Sequence, residues 1–356
     1  MKVVVNKNIL VSMIENTNPY LDKKDLSSIT SHILIIANDN GLSIKATDHE
    51  IGLSYNVKNV TTLTQGIATA NGTKLLSAIK GLSDEDITLE SMNGSLFVKQ
   101  KKSKFKLPMH NYEDFPNFPT LDNKNKFDVN TLVFGRSLKK IFTSIDNSNQ
   151  KRELNGAFID IKDNFINLVG TDTKRLSIYQ LDIQNNENSG NLIIPKKAIA
   201  EIQKLFSDKI EIYYDENVLI ATSENFEFFT KLINGKFPDY QRVVPSNTKI
   251  KIQIPRDKMI EGINAIKTMC EQMKITIKND GILFESINED NSEAKTEIEF
   301  KSEIDENIVF GVKNKFLLDF LSSIEENEFT LEFNNSDVAF VLSSGNLKTV
   351  IMPINL

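Results

Sequence analysis

The sequence predicts an α+β chain of three repeated domains, each with two helices packed on antiparallel sheets. A helical pattern recurs at a period of roughly 120 residues, as Lys74-Leu75-Leu76 with Ile79, Lys197-Ala198-Ile199 with Ile202, and Lys315-Phe316-Leu317 with Phe320. Each copy is followed by two strand-like segments at nearly fixed offsets: Ile87 to Leu89 and Leu96 to Val98, Ile210 to Ile212 and Leu219 to Ala221, Phe329 to Leu331 and Ala339 to Val341. Units of this length can hold their own cores, which favours three domains over a stacked repeat array.

The elements follow from spacing. A first helix is expected in each domain, over Asn8 to Asn18, Ser137 to Asp146 and Asp257 to Met269; Leu138, Ile141, Phe142 and Ile145 would make a single core-facing stripe. Short β-branched runs, Ile33 to Ala37 and Leu42 to Ala46, Phe158 to Ile161 and Ile166 to Gly170, Ile275 to Ile277 and Ile282 to Glu285, are separated by Asn-Asp-Asn-Gly, Lys-Asp-Asn and Asn-Asp-Gly turns. Such spacing belongs to antiparallel hairpins, not to βαβ winding. Composition shifts place the domains at 1–122, 127–246 and 249–356, packed end to end without long linkers.

Composition excludes several classes. Cys270 is the only cysteine of the 356 residues, so an intrachain disulfide framework or a thiolate zinc cluster is impossible. Its neighbours Ile263, Ile266 and Met269 mark it as a small buried hydrophobe. The apolar run at the N-terminus is too short for a signal peptide, and no stretch approaches the roughly 20 apolar residues of a membrane span, so the expected compartment is the cytoplasm. A net charge of −6 and a pI near 5.4 argue, taken alone, against a nucleic-acid binder. Lysines nevertheless gather at the helices, so one helical face could be basic on an otherwise acidic body.

The search for catalytic motifs is nearly empty. No phosphate loop, dinucleotide fingerprint, zinc-protease helix or nucleophile elbow occurs, and His32, His49 and His110 lack ligand spacing. Asp48 and Asp172 recur at equivalent places, in Thr47-Asp48-His49 and Thr171-Asp172-Thr173, as expected of a structural turn. A small-molecule enzyme would need convergent polar groups that the sequence does not offer. No cofactor and no metal are expected.

Four blocks, Leu154-Asn155-Gly156, Gly170 to Leu176, Gly235 to Val243 and Val350 to Leu356, follow one another on the threefold repeat. Together they resemble the bacterial DNA polymerase III β subunit family, the sliding clamps, over the whole chain. The resemblance implies the DNA clamp fold and a homodimer closed head to tail into a ring around double-stranded DNA, without sequence readout or catalysis. It implies tethering of the polymerase III alpha subunit, the clamp loader and other replication and repair proteins. Eukaryotic-type trimeric clamps carry two repeats per chain, so the third repeat speaks against them. A non-replicative scaffold, or a small-molecule-binding protein of the same fold, is the alternative reading.

The resemblance also assigns residues. Lys24, Lys74, Lys151, Arg152, Lys196 and Lys197 would face DNA. A partner groove would be walled by Leu154, Thr171, Leu176, Pro238, Val243, Val350, Met352, Pro353, Ile354 and Leu356, with Lys174, Arg175 and Arg242 as its basic edge. Lys174 stands where many relatives carry His, and Lys151-Arg152-Glu153 where some carry aromatics. For the dimer interface the residues speak directly. Lys102, Lys104 and Lys106 alternate with Ser103, Phe105 and Leu107, while Glu297 and Glu299 alternate with Ile298 and Phe300, giving edge strands of opposite charge. Ile266 would add an apolar contact by resemblance.

Overall fold

The computed structural model describes residues 1–25, 27–183, 189–207, 210–287 and 292–356. Six α-helices are present among them: α1 (Lys7–Thr17), α2 (Gly72–Lys80), α3 (Thr131–Phe142), α4 (Lys196–Leu205), α5 (Arg256–Ile266) and α6 (Asn314–Ser323). Each buries one stripe, as the spacing demands: Leu75 and Ile79 on α2, Ala198, Ile199 and Ile202 on α4, Leu317, Phe320 and Leu321 on α6. Asparagines cap α1 and α2, Asn6 accepting from the Asn8 N–H and Asn71 from the Lys74 N–H.

The chain forms two compact units, one of residues 1–131 with 207–232 and the other of residues 132–206 with 233–356. The first holds α1, α2 and two antiparallel sheets. One sheet runs, in spatial order, Thr61–Thr64, Lys2–Asn6, Asp86–Met92, Ser95–Gln100 and Ser103–Pro108. The other has eight strands: Asn125–Phe127, Glu211–Tyr214, Val218–Thr222, Phe226–Lys231, Ile51–Val57, Gly41–Thr47, His32–Asn38 and Gly66–Asn71. Strands of the first and second repeats therefore share one sheet, joined where Phe228 pairs with Leu53. Phe118 packs against the buried Val218, Ile220 and Phe229, fixing the segment that leaves the first repeat.

The second unit holds the remaining helices and a sheet of the same kind. Its eight strands run Gly190–Pro195, Gly156–Ile161, Phe165–Thr171, Arg175–Asp182, Leu347–Ile351, Phe340–Ser344, Glu328–Phe333 and Ile250–Pro255. Here the second and third repeats meet, Leu176 pairing with Val350. The second sheet has four strands: Lys295–Glu299, Gly281–Ile287, Gln272–Ile277 and Ile308–Lys313. Pairing across repeats buries polar backbone that would otherwise stand open at each repeat's edge.

The helix expected over Ser137 to Asp146 begins instead at Thr131 and ends at Phe142. Ile145 is buried, but in the turn after the helix, where the Ser144 N–H bonds to the Ile141 carbonyl. The apolar period thus runs on past the point where the backbone stops. The other two first helices lie within a few residues of their expected ends.

Candidate partner groove and nucleic-acid interface

The second unit carries an open cavity of about 240 Å³ over the joint between strands Arg175–Asp182 and Leu347–Ile351. Leu154, Leu176 and Val350 form its floor and belong to a buried apolar cluster with Val169, Ile193 and Val341. Phe237 and Tyr240 close one side; Phe158 stacks on Phe237 at 4.8 Å behind them. Pro238, Thr171, Val243 and Met352 complete the walls, and Val243 and Met352 are 50% and 45% exposed although both are large and apolar. The cavity is smaller than the roughly 300–1,000 Å³ of most small-molecule sites, and suits one or two inserted side chains.

Local chemistry explains why these blocks build a wall. In Leu154-Asn155-Gly156 the Asn155 side chain accepts from the Asn149 N–H and donates to the Asn149 carbonyl, pinning the loop that delivers Leu154. Gly156 lies so close to the neighbouring strand that a Cβ would sit 2.5 Å from the Ile194 carbonyl oxygen. The Tyr240 hydroxyl donates to Asp160 and accepts from Asn167, which orients the ring; burial, then the Asp160 hydrogen bond, holds its pKa above the usual phenol value.

The Thr171 to Arg175 turn is built as its recurrence predicts. Thr171 Oγ1 donates to the Arg175 carbonyl, Asp172 Oδ1 accepts from the backbone N–H groups of Lys174 and Arg175, and Thr173 sits at φ +70°. In the first repeat Thr47, Asp48 and His49 reproduce each feature, His49 at φ +73°. These aspartates are turn formers that satisfy backbone donors.

Three matches decide the family. Models of the DNA polymerase III beta subunit match residues 1–119 with its N-terminal domain, 128–239 with its central domain and 241–355 with its C-terminal domain. The chain belongs to the DNA polymerase III beta subunit family, the beta sliding clamps. It is 36% identical to the beta sliding clamp of Helicobacter pylori (strain J99) and 25% identical to that of Buchnera aphidicola, covering 100% and 96% of those proteins and matched over 100% and 97% of its own length. Its structure matches that of the Helicobacter pylori beta clamp bound to a DNA ligase peptide with a TM-score of 0.94, at 35% identity and 100% coverage of both chains. A DNA polymerase III beta subunit from Pseudomonas aeruginosa shares the fold, with a TM-score of 0.93 at 22% identity.

Not every assigned residue of this clamp sits where the resemblance put it. Arg175 borders the groove, but its side chain is 3% exposed, and the guanidinium turns inward to Asp172 at 3.0 Å, Asp319 at 2.8 Å and the Thr143 carbonyl, with Phe316 at 4.5 Å. It is an internal tie and leaves no charge for a basic edge. Arg242 points to solvent, paired with Asp239, and does not line the cavity. The exposed cations at the rim are Lys174 and Lys151, the latter assigned to DNA on the sequence. Past Met352, whose N–H bonds to the Lys174 carbonyl, the tail leaves the cavity. Ile354 forms a bridge with Gly311, where a Cβ would meet the Ile354 backbone at 2.7 Å and Leu356 at 3.0 Å. Ile354 and Leu356 therefore lie against Gly311 of strand Ile308–Lys313, and neither they nor Pro353 are among the residues lining the cavity. Phe237 and Tyr240, both within a quoted block, were not assigned to the wall; their i, i+3 aromatic spacing around Pro238 was the available signal.

Among the DNA-facing assignments, Lys24, Lys74, Lys151, Arg152 and Lys197 are exposed. Lys196 is not available in the same way. Its ammonium donates to the Ile145 carbonyl at 2.6 Å and lies over the Phe142 ring, and burial followed by the nearby Arg175 lowers its pKa. Strands Ser103–Pro108 and Lys295–Glu299 are both sheet edges. Lys104, Phe105 and Lys106 are exposed on the first, with Leu107 half-buried. Lys102 falls in the turn before it, and Phe300 lies just beyond the end of the second. Ile298 and Ile266 are buried within their own unit at 8% and 3% exposure. No helix of the described residues is long and apolar enough to cross a membrane.

Proposed function

We propose that this beta sliding clamp acts in the cytoplasm as a homodimeric ring closed by strands Ser103–Pro108 and Lys295–Glu299. The ring encircles duplex DNA and tethers the polymerase III alpha subunit, the clamp loader and other replication and repair proteins through the groove. It is a non-catalytic processivity subunit. The three repeats supply the domains near residues 1–122, 127–246 and 249–356, and Lys24, Lys74, Lys151, Arg152 and Lys197 are the cations best placed by exposure to meet phosphate.

The observation that carries the tethering role is an apolar groove left open to solvent, whose walls include the exposed large apolar side chains Val243 and Met352. Burying a Leu or Phe side chain there contributes about 1.5–3 kcal/mol, enough with a few backbone hydrogen bonds for a short motif to bind at micromolar strength. Met352 can adapt to several partners. Fluorescence anisotropy with a labelled Leu/Phe-containing peptide tests it: Met352→Ala should weaken binding by about tenfold with an unchanged melting temperature. Unaltered binding would move the groove elsewhere.

A further inference from the structure

The chain has eight methionines, and they are not equally reachable. Met13, Met259 and Met273 are buried to 1% exposure or less, and Met1 and Met109 are half-buried. Met92, Met269 and Met352 remain, at 49%, 53% and 45% exposed, and of these only Met352 lines the groove. Cys270 does not compete for an oxidant: it is buried, and burial pushes its thiol above the usual range, away from the reactive thiolate.

A methionine wall tolerates many partner side chains because a thioether is apolar and adaptable. Its sulfoxide is polar, and the new oxygen loses water when an apolar anchor seats beside it. The groove has little to offer that oxygen. Two of its hydroxyls are already committed, Thr171 donating to the Arg175 carbonyl and Tyr240 to Asp160, and the floor of Leu154, Leu176 and Val350 has no side-chain donor. The exposed donors stand at the rim, on Thr173, Lys174 and Lys151. The Met352 backbone is tied by its N–H to the Lys174 carbonyl, so the side chain alone can adjust. Once oxidised, it is either buried unpaired under the anchor or turned out to the rim, leaving its wall open.

We propose that Met352 is a reversible oxidation site through which peroxide silences partner binding. The thioether sulfur attacks one peroxide oxygen; the O–O bond breaks, an S=O bond forms and water leaves, so the sulfur gives up the two electrons that the peroxide takes. The proposal rests on the groove being the partner site. A polar group buried without a partner should weaken binding by about tenfold or more. A seated anchor covers the sulfur, so a bound partner shields it.

The test treats the full-length protein with hydrogen peroxide, follows oxygen gained at each methionine by mass spectrometry, and reads affinity for a labelled Leu/Phe-containing peptide by anisotropy. Affinity should fall about tenfold in step with oxidation of Met352 and return after treatment with the two methionine sulfoxide reductases, one for each epimer. Peptide added beforehand should slow oxidation of Met352 and not of Met92 or Met269. Met352→Leu, judged against its own untreated affinity, should keep its binding through the same dose, whereas Met92→Leu with Met269→Leu should lose it as the parent does. Three results would overturn the switch and leave the groove standing: a loss that persists in Met352→Leu, oxidation of Met352 without loss of binding, or oxidation of Met92 and Met269 that spares Met352. Failure of the peptide to bind the untreated protein would overturn both readings.

Discussion

The Arg175 guanidinium holds three segments at once: the Thr171 to Arg175 turn through Asp172, the end of α3 through the Thr143 carbonyl, and α6 through Asp319 and Phe316. Its neighbour Leu176 is part of the groove floor, so the floor's position depends on a buried charge network. Removing one partner of such a network leaves the others buried and unpaired, at a cost on the order of 3 kcal/mol. Arg175→Met should lower the denaturant midpoint by a corresponding amount, and adding Asp319→Leu should recover part of it in urea titrations. A second residue gives the chain a pH response. His32 is buried against His110, and desolvation, with the nearby His110 and Lys74, pushes its pKa down to about 4 from the ordinary 6.5. The unfolded chain therefore binds more protons than the folded one between pH 6.5 and 4, and stability falls as pH drops through that window. The loss is on the order of 2–3 kcal/mol, and unfolding midpoints of His32→Gln measured across the window should fall less steeply than those of the parent.

Elements divide into those whose identity is local and those whose partners are not. The helices at Gly72–Lys80, Lys196–Leu205 and Asn314–Ser323 were legible because burying one stripe forces a 3.6-residue period that survives in sequence. The joining of strands across repeats was not, since period-2 alternation shows which face is buried and nothing about which strand lies alongside. Arg175 follows the same logic: a cation in a motif looks the same whether it faces solvent or two aspartates, Asp172 and Asp319, that lie 147 residues apart in the chain. The alternating charges of Lys104, Lys106, Glu297 and Glu299 were legible, and both strands are open edges. Glu297 already pairs with Lys278 at 2.8 Å, whereas Glu299 stands on an exposed strand end. Lys104→Glu with Lys106→Glu should therefore raise the dimer dissociation constant by about tenfold or more. Glu299→Lys should restore more of the loss than Glu297→Lys, as sedimentation equilibrium would show.

At the scale of the whole molecule, the net charge of −6 limits what direct attraction to DNA can supply. The exposed lysines and arginine proposed to face DNA would give weak contacts that fade with salt through counterion release. Phosphate contacts of this kind orient a protein without reading sequence, which suits a body that must slide. A topological link does not depend on those contacts. The measurement that tests encirclement most directly is retention of the loaded protein on nicked circular DNA, at a salt concentration that prevents direct binding, before and after the circle is cut. The protein should stay on the circle and run off once it is linear; release from intact circles as fast as from linear DNA would contradict encirclement.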